Sequence, residues 1–180
     1  MQNLNLFKLP SNFRGKSILT VQLWRFVNAL FFKLSPQFLY GWRRFLLRLF
    51  GAKIGKKVII RPSATITYPW KIQIGDYSWI GDNVVLYSLG EIIIGSNTVI
   101  SQKSYLCAAS HDYTKVDFPI FEERIEISDE CWLATDVFVA PGVKVNKQCV
   151  IGARSNVFED MPEGWVCYGN PSKPIKKRLE

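Results

Sequence analysis

From Ile54 onward an aliphatic residue returns at every sixth position, and very few folds accept that period. The series runs Ile54, Ile60, Ile66 and Ile72, slips by two residues, and resumes as Ile74, Ile80, Leu86 and Ile92. A second two-residue slip gives Ile94, Ile100 and Leu106; the rhythm then lapses and returns as Ile127, Leu133, Val139, Val145, Ile151 and Val157. An α-helix repeats every ~3.6 residues and a half-buried strand every ~2, so neither an isolated helix nor a hairpin meander carries this pattern. It is the hexapeptide repeat of a parallel β-helix. One hexad makes one flat side, three hexads make a triangular coil, and each aliphatic side chain stacks inside on its equivalents above and below. Spacing alone does not set the hand of the coil.

The residue four places after the aliphatic one is usually small: Ala64, Ser78, Val84, Thr98, Ser104, Cys131, Val137, Val143, Cys149 and Ser155. It should point inward near a corner, where room is short. Gly55, Gly75, Gly81, Gly95 and Gly152 directly follow aliphatic positions, where a glycine eases a tight corner. Cys131, Cys149 and Cys167 are spaced like coils and are expected to stack as a ladder of small buried side chains. None of the four cysteines forms a CxxC or a metal-type spacing, so no metal site is expected and the reduced thiols point to a cytoplasmic protein.

Residues 1–53 read as a separate helical, basic, aromatic-rich segment ahead of a β-helix domain at 54–180. Ser17 to Leu34 places Leu23, Phe26, Val27, Leu30, Phe31 and Leu34 at helix spacing. Ser35-Pro36 reads as an N-cap with proline in the first turn of a second helix, which carries Arg43, Arg44 and Arg48 among apolar residues and ends at Gly51. No Asp or Glu precedes Asp76, so this end of the chain is strongly basic within a formal net charge of +8. Two roles follow. The helices cap the end of the β-helix, whose strand edges need cover, or they also rest on an anionic membrane surface, the inner membrane face for a cytoplasmic protein. Nucleic acid is not expected, because the aromatic residues sit at core-like spacing and no nucleic-acid module pattern occurs. The N-terminus lacks a secretory signal pattern, and no uncharged apolar run is long enough to span a bilayer.

The hexads are interrupted over 112–126, DYTKVDFPIFEERIE, and the single histidine, His111, stands at the start of that break. A long loop in a compact repeat is often functional. The stretches YLCAASHDYT, CWLATDVFVAPGVKV, VIGARSNVFEDMP and GNPSKPIKKR, with the hexads, cover about residues 54–178. In them the chain resembles the hexapeptide-repeat acyltransferases, and more narrowly the exopolysaccharide O-acetyltransferases of the colanic-acid biosynthesis type. The resemblance implies a mainly β, left-handed parallel β-helix, a homotrimer with its site between subunits, and acetyl-CoA as co-substrate with a sugar or polysaccharide precursor as acceptor. It implies that His111 is the general base, a role that suits an imidazole whose ordinary pKa of ~6.5 lies near working pH.

By the same resemblance Trp132 lines the pantetheine channel, Ala134 and Thr135 leave room for the pantetheine arm, and Ala153 and Arg154 lie one coil later on that wall. Lys173 falls near the CoA phosphates, with Lys176 and Lys177 as helpers. Glu159 departs from the pattern, standing where sugar acetyltransferases often carry a lysine. Asn83, Ser88 and Glu91 are the polar candidates for holding the acceptor, joined by Asp112 and Tyr113. Four rival readings are a zinc carbonic anhydrase, a serine acetyltransferase, a non-catalytic membrane-associated scaffold of polysaccharide assembly, and an acyltransferase with another small-molecule acceptor. A zinc enzyme of this fold class needs three histidine ligands per site, and the chain holds one histidine. A serine acetyltransferase carries a different N-terminal domain. A scaffold has no reason to keep a pantetheine channel.

Overall fold

Every aliphatic hexad residue from Ile54 to Val157 is buried, and all ten small residues lie inside as well. The computed structural model describes residues 2–179, so the outermost residue of each expected segment lies outside the described residues. Five coils are complete. The first is β1 (Lys53–Ile54), β2 (Ile59–Ile60) and β3 (Thr65–Ile66). The second is β4 (Ile72–Ile74), β5 (Trp79–Ile80) and β6 (Val85–Tyr87). The third is β7 (Ile92–Ile94), β8 (Val99–Ile100) and β9 (Tyr105–Cys107). An arm, β10 (Ala109–His111) with β11 (Ile120–Glu122), comes next. The fourth coil is β12 (Ile125–Ile127), β13 (Trp132–Leu133) and β14 (Phe138–Val139). The fifth is β15 (Lys144–Val145), β16 (Val150–Ile151) and β17 (Asn156–Val157). A sixth, partial turn is β18 (Trp165–Gly169), which folds back as β19 (Ser172–Lys177).

The strands form three parallel faces: β1-β4-β7-β12-β15, then β2-β5-β8-β13-β16-β18, then β3-β6-β9-β14-β17, with β19 antiparallel on the end of the second. This is a parallel β-solenoid of about six turns, consistent with the left-handed β-helix expected. The two-residue slips are widened strands on the first face, where Ile72 and Ile74, Ile92 and Ile94, and Ile125 and Ile127 all point inward. The coil therefore resumes at Ile125, not Ile127.

Two expectations need correction. Cys131 and Cys149 stack one coil apart, but Cys167 pairs with Ile151 in the next register and so occupies an aliphatic slot. The last turn is two residues short there, although the Cys149 and Cys167 sulfurs still meet at 3.7 Å. Burial pushes the Cys131 thiol up to about 11, so these thiols stay protonated at neutral pH. The role of glycine also differs. Left-handed φ at the corners falls on residues such as Tyr77, Asn83, Asp136 and Arg154. Gly75 is needed because the next coil passes close: a Cβ there would lie 2.5 Å from the Ser96 amide nitrogen.

The helices α1 (Ile18–Val27) and α2 (Tyr40–Leu49) sit over the first coil, and Trp24, Phe32, Leu46 and Leu47 share one hydrophobic core with the solenoid. The first coil donates its N–H groups to the second, as Ile59 N–H does to the Ser78 carbonyl, and leaves carbonyls facing the helices. Side-chain donors meet those carbonyls on every face. Arg48 binds Ile54 O at 2.7 and 3.0 Å, and Arg44 binds Val58 O at 2.8 Å. Arg43 binds Ile60 O at 2.7 Å, and the Trp24 indole binds Ile66 O at 3.0 Å. An edge made of acceptors calls for cationic donors, which accounts for three of the basic residues.

The structure settles which side of each helix faces the solenoid, which the spacing had left open. On α1 the buried residues are Val21 and Trp24, while Leu19, Leu23, Phe26 and Leu30 along α1 and the π-turn after it are exposed. On α2 Arg43, Leu46 and Leu47 are buried, while Trp42, Phe45 and Leu49, and Phe38 just ahead of it, are exposed. Helix α2 also starts at Tyr40, not Pro36, because the Pro36 and Gln37 carbonyls and the Ser35 hydroxyl turn to accept the Arg43 guanidinium at 3.0, 2.5 and 2.8 Å.

Candidate active site

The arm leaves the solenoid where the third face turns into the first. It is an ordered hairpin, not an irregular loop: Ala109 pairs Glu122, Ser110 pairs Phe121, and His111 pairs Ile120. Its root is tied down by Lys71, whose ammonium reaches the Phe13 carbonyl at 2.9 Å, the Leu89 carbonyl and the Glu122 carboxylate. Leu89, Ala109, Phe13 and Tyr68 form a small apolar cluster beneath.

His111 is half-buried at the end of β10, facing a cleft of about 660 Å³ lined by the arm's own residues, among them Asp112, Tyr113, Phe121 and Glu123. Its Nδ1 lies 3.0 Å from the Phe118 carbonyl oxygen. A carbonyl only accepts, so Nδ1–H donates, and the neutral ring presents its lone pair at Nε2. Phe118 also stacks on the imidazole at 4.3 Å, and Phe7 approaches it at 6.0 Å. The ring is thus fixed in orientation and tautomer by one loop residue. Nothing in the hexad pattern marks Phe118 or Lys71; only the fold brings Phe118 to His111 and Lys71 to the root of the arm.

Asp112 caps the turn at the tip of the arm. The Thr114 hydroxyl and amide bind its carboxylate at 2.5 and 3.0 Å and hold its pKa below the usual carboxylate range. Tyr113 is exposed beside it. The other acceptor candidates do not join this cleft. Ser88 is buried, and its hydroxyl exchanges hydrogen bonds with the Tyr68 backbone at 2.8 and 3.1 Å, so it is a structural residue and not a ligand. Glu91 is occupied by Arg124 at 2.7 Å and Gln73 at 2.6 Å. Asn83 stands at the other edge of the third face.

That edge gathers the second group of candidates. Trp132 is exposed on the second face, with its indole N–H donating to Ser101 Oγ at 3.0 Å. Ala134 and Thr135 follow at the corner, and Ala153 and Arg154 repeat the corner one coil later, where Arg154 N–H donates to the Thr135 carbonyl at 2.9 Å. The small side chains of Ala134 and Ala153 keep this corner shallow beside the Trp132 ring. Arg154 pairs with Asp136 at 3.7 Å. Lys173, on β19, pairs with Glu159 at 3.2 Å, so the residue that departs from the family pattern holds the lysine nearest to it. No group of His, Cys, Asp and Glu side chains among the described residues is arranged to hold a metal.

Within one chain the two groups lie on opposite edges of the third face. That face is about five residues wide, roughly 16 Å at ~3.3 Å per residue. A shallow depression crosses it, lined by Tyr105, Cys107, Phe138 and Asn156.

Comparison with known proteins places this architecture. No family model matches the chain. It is 58% identical over 180 residues to the Escherichia coli (strain K12) protein named "Putative colanic acid biosynthesis acetyltransferase WcaF", covering 100% of the chain and 99% of the relative. A maltose O-acetyltransferase from Clostridium difficile 630 superposes with a TM-score of 0.82 at 24% identity, over 91% of this chain and 90% of that one. The hexapeptide-repeat acetyltransferase VCA0836 of Vibrio cholerae O1 biovar eltor, in complex with acetyl-CoA, gives a TM-score of 0.82 at 24% identity, over 92% of each chain. With full-length identity to one acetyltransferase and the coil architecture of others, the chain belongs to the WcaF family of hexapeptide-repeat acetyltransferases.

Proposed function

We propose that the chain transfers the acetyl group of acetyl-CoA to a sugar hydroxyl of colanic acid or a closely similar polysaccharide, with His111 as the general base. The observation that carries this reading is the Nδ1–H to Phe118 carbonyl bond, which leaves Nε2 as the proton acceptor in an open cleft. The acceptor hydroxyl gives its proton to Nε2 as its oxygen attacks the thioester carbonyl. The carbon–sulfur bond then breaks, and Nε2–H returns the proton to the departing sulfur. The imidazole ends as it began, and atoms and charge balance. Backbone N–H groups of the opposing wall would steady the oxyanion.

The corner of Trp132, Ala134, Thr135, Ala153 and Arg154 fits a slender pantetheine arm, with Lys173 toward the phosphates. Since His111 and this corner lie across a whole face in one chain, the site is completed by a neighbouring subunit of a trimer. Asn83 shares the corner with the donor residues, while Asp112 and Tyr113 flank the base and meet the acceptor.

Acetyl-CoA at ~100 times its Kd is expected to stabilise the native protein by ~2.7 kcal/mol in thermal unfolding; an unmoved transition would sink the donor half of the reading. Co-expression of His111→Asn with Trp132→Ala tests the shared site. Mixed trimers should regain transfer that neither variant shows alone, because some of their sites join an intact His111 to an intact Trp132. No regain in verified mixed trimers would place the whole site in one chain.

A further inference from the structure

Both helices at the N-terminal end carry an apolar stripe on their outward side as well as apolar residues on their inner side. On α2 Leu46 and Leu47 pack on the solenoid, the arginines are spent on its carbonyl edge, and the stripe of Trp42, Phe45 and Leu49, with Phe38 just ahead of the helix, faces away. On α1 the inner side is already apolar, and a second apolar stripe from Leu19 to Leu30 faces outward as well. A helix apolar on both sides is ordinarily covered on both sides. The stripes adjoin, since the Trp42 indole on α2 donates to the Phe31 carbonyl at 2.8 Å and stacks on Phe45 at 5.7 Å. Exposure reaches 78% at Leu19 and 75% at Phe38. Such a continuous apolar surface, unlike scattered apolar residues, marks an interaction site.

Charge chooses the occupant. No acidic residue occurs before Asp76. Lys8, Arg14, Lys16, Arg25 and Lys33 flank the helices, and none forms an ion pair among the described residues. Two copies meeting through this face would set like charges against each other. A bilayer of anionic lipid offers acyl chains to the Leu, Phe and Trp side chains and phosphates to the flanking cations. No helix among the described residues is long and apolar enough to cross a membrane, so the contact lies in the interface. We propose that the outward face of α1 and α2 seats this protein on an anionic lipid bilayer, with the solenoid axis leading away from the membrane.

The test is co-sedimentation of the full chain, without acetyl-CoA or acceptor, with vesicles of phosphatidylcholine alone or mixed with phosphatidylglycerol. The wild type should bind the mixed vesicles about tenfold or more tightly than the neutral ones, and raised salt should weaken that binding. Leu19→Glu with Phe38→Glu should lose it by about tenfold or more while the melting temperature and the oligomeric state stay as in the wild type. These residues touch no part of the acetyl-transfer site, so a failure here leaves the catalytic reading standing. Absence of binding to the mixed vesicles would overturn the proposal. So would a double variant that changes oligomeric state, since a second copy would then be what covers the face.

Discussion

Replacing His111 by alanine lowers acetyl transfer by about 10² to 10⁴-fold, the usual worth of a positioned general base, and leaves acetyl-CoA binding in place. Binding should survive because the corner proposed for the donor is built from β13, β16 and the turns after them, apart from the arm of the same chain. His111→Asn sharpens the test. Its side-chain amide can still donate to the Phe118 carbonyl, as Nδ1–H does at 3.0 Å, but it has no nitrogen lone pair to take a proton. If the imidazole matters as a base, asparagine is as inactive as alanine. If it matters only for holding the arm in shape, asparagine recovers most of the rate. Steady-state kcat for both variants, with a thermal shift on acetyl-CoA as the binding control, separates the two.

Arg43→Met is expected to lower stability by about 3 to 5 kcal/mol. Methionine keeps much of the aliphatic stem but abandons four acceptors: the carbonyls of Ile60, Pro36 and Gln37 and the Ser35 hydroxyl. Each buried acceptor left without a donor costs about 1–3 kcal/mol, reduced where water reaches it. Burial also lowers the guanidinium's pKa, the mark of a charge held out of water by its surroundings. Arg25→Met, on an exposed position, is the control and should stay within about 0.5 kcal/mol. Urea unfolding at unchanged slope reads both. A loss for Arg43→Met no larger than the control's would mean that the carbonyl edge is hydrated and the arginine seal is dispensable.

These two residues also mark where the sequence was and was not legible. The hexads were legible because a solenoid interior repeats one geometric demand coil after coil, so Ile54 through Val157 announce themselves by period alone. Ser88 shows the limit of residue type: it is polar and near the arm, but its hydroxyl is spent on the Tyr68 backbone twenty residues away in sequence, one coil below. Cys167 kept the spacing of the ladder but not its register, because the last turn is shorter than the coils before it. The arm's hairpin was hidden because its tip carries no strong turn dipeptide and Phe118 works through its carbonyl, which any residue could supply.

The helices were legible as helices, but their facing was not. Periodicity located the stripes on α1 and α2 but could not say which stripe faces the solenoid. That choice is made by the unpaired carbonyls of the first coil, an acceptor edge that exists only once the coils have formed. Arg43, Arg44 and Arg48 meet that edge from α2 and the Trp24 indole meets it from α1, so these donors turn inward beside Leu46 and Leu47 and leave Phe38, Trp42 and Phe45 outside.

The most direct test of the central claim is acetyl transfer itself. Wild-type protein would be incubated with acetyl-CoA and a base-deacetylated colanic acid oligosaccharide, following free CoA thiol and ester formation on the sugar together. The account predicts one sugar ester for each thiol released, with neither formed by His111→Asn. A wild-type protein that binds acetyl-CoA but releases thiol no faster with the oligosaccharide than without it would contradict the assignment of this sugar as acceptor. Equal release by wild type and His111→Asn would contradict the mechanism.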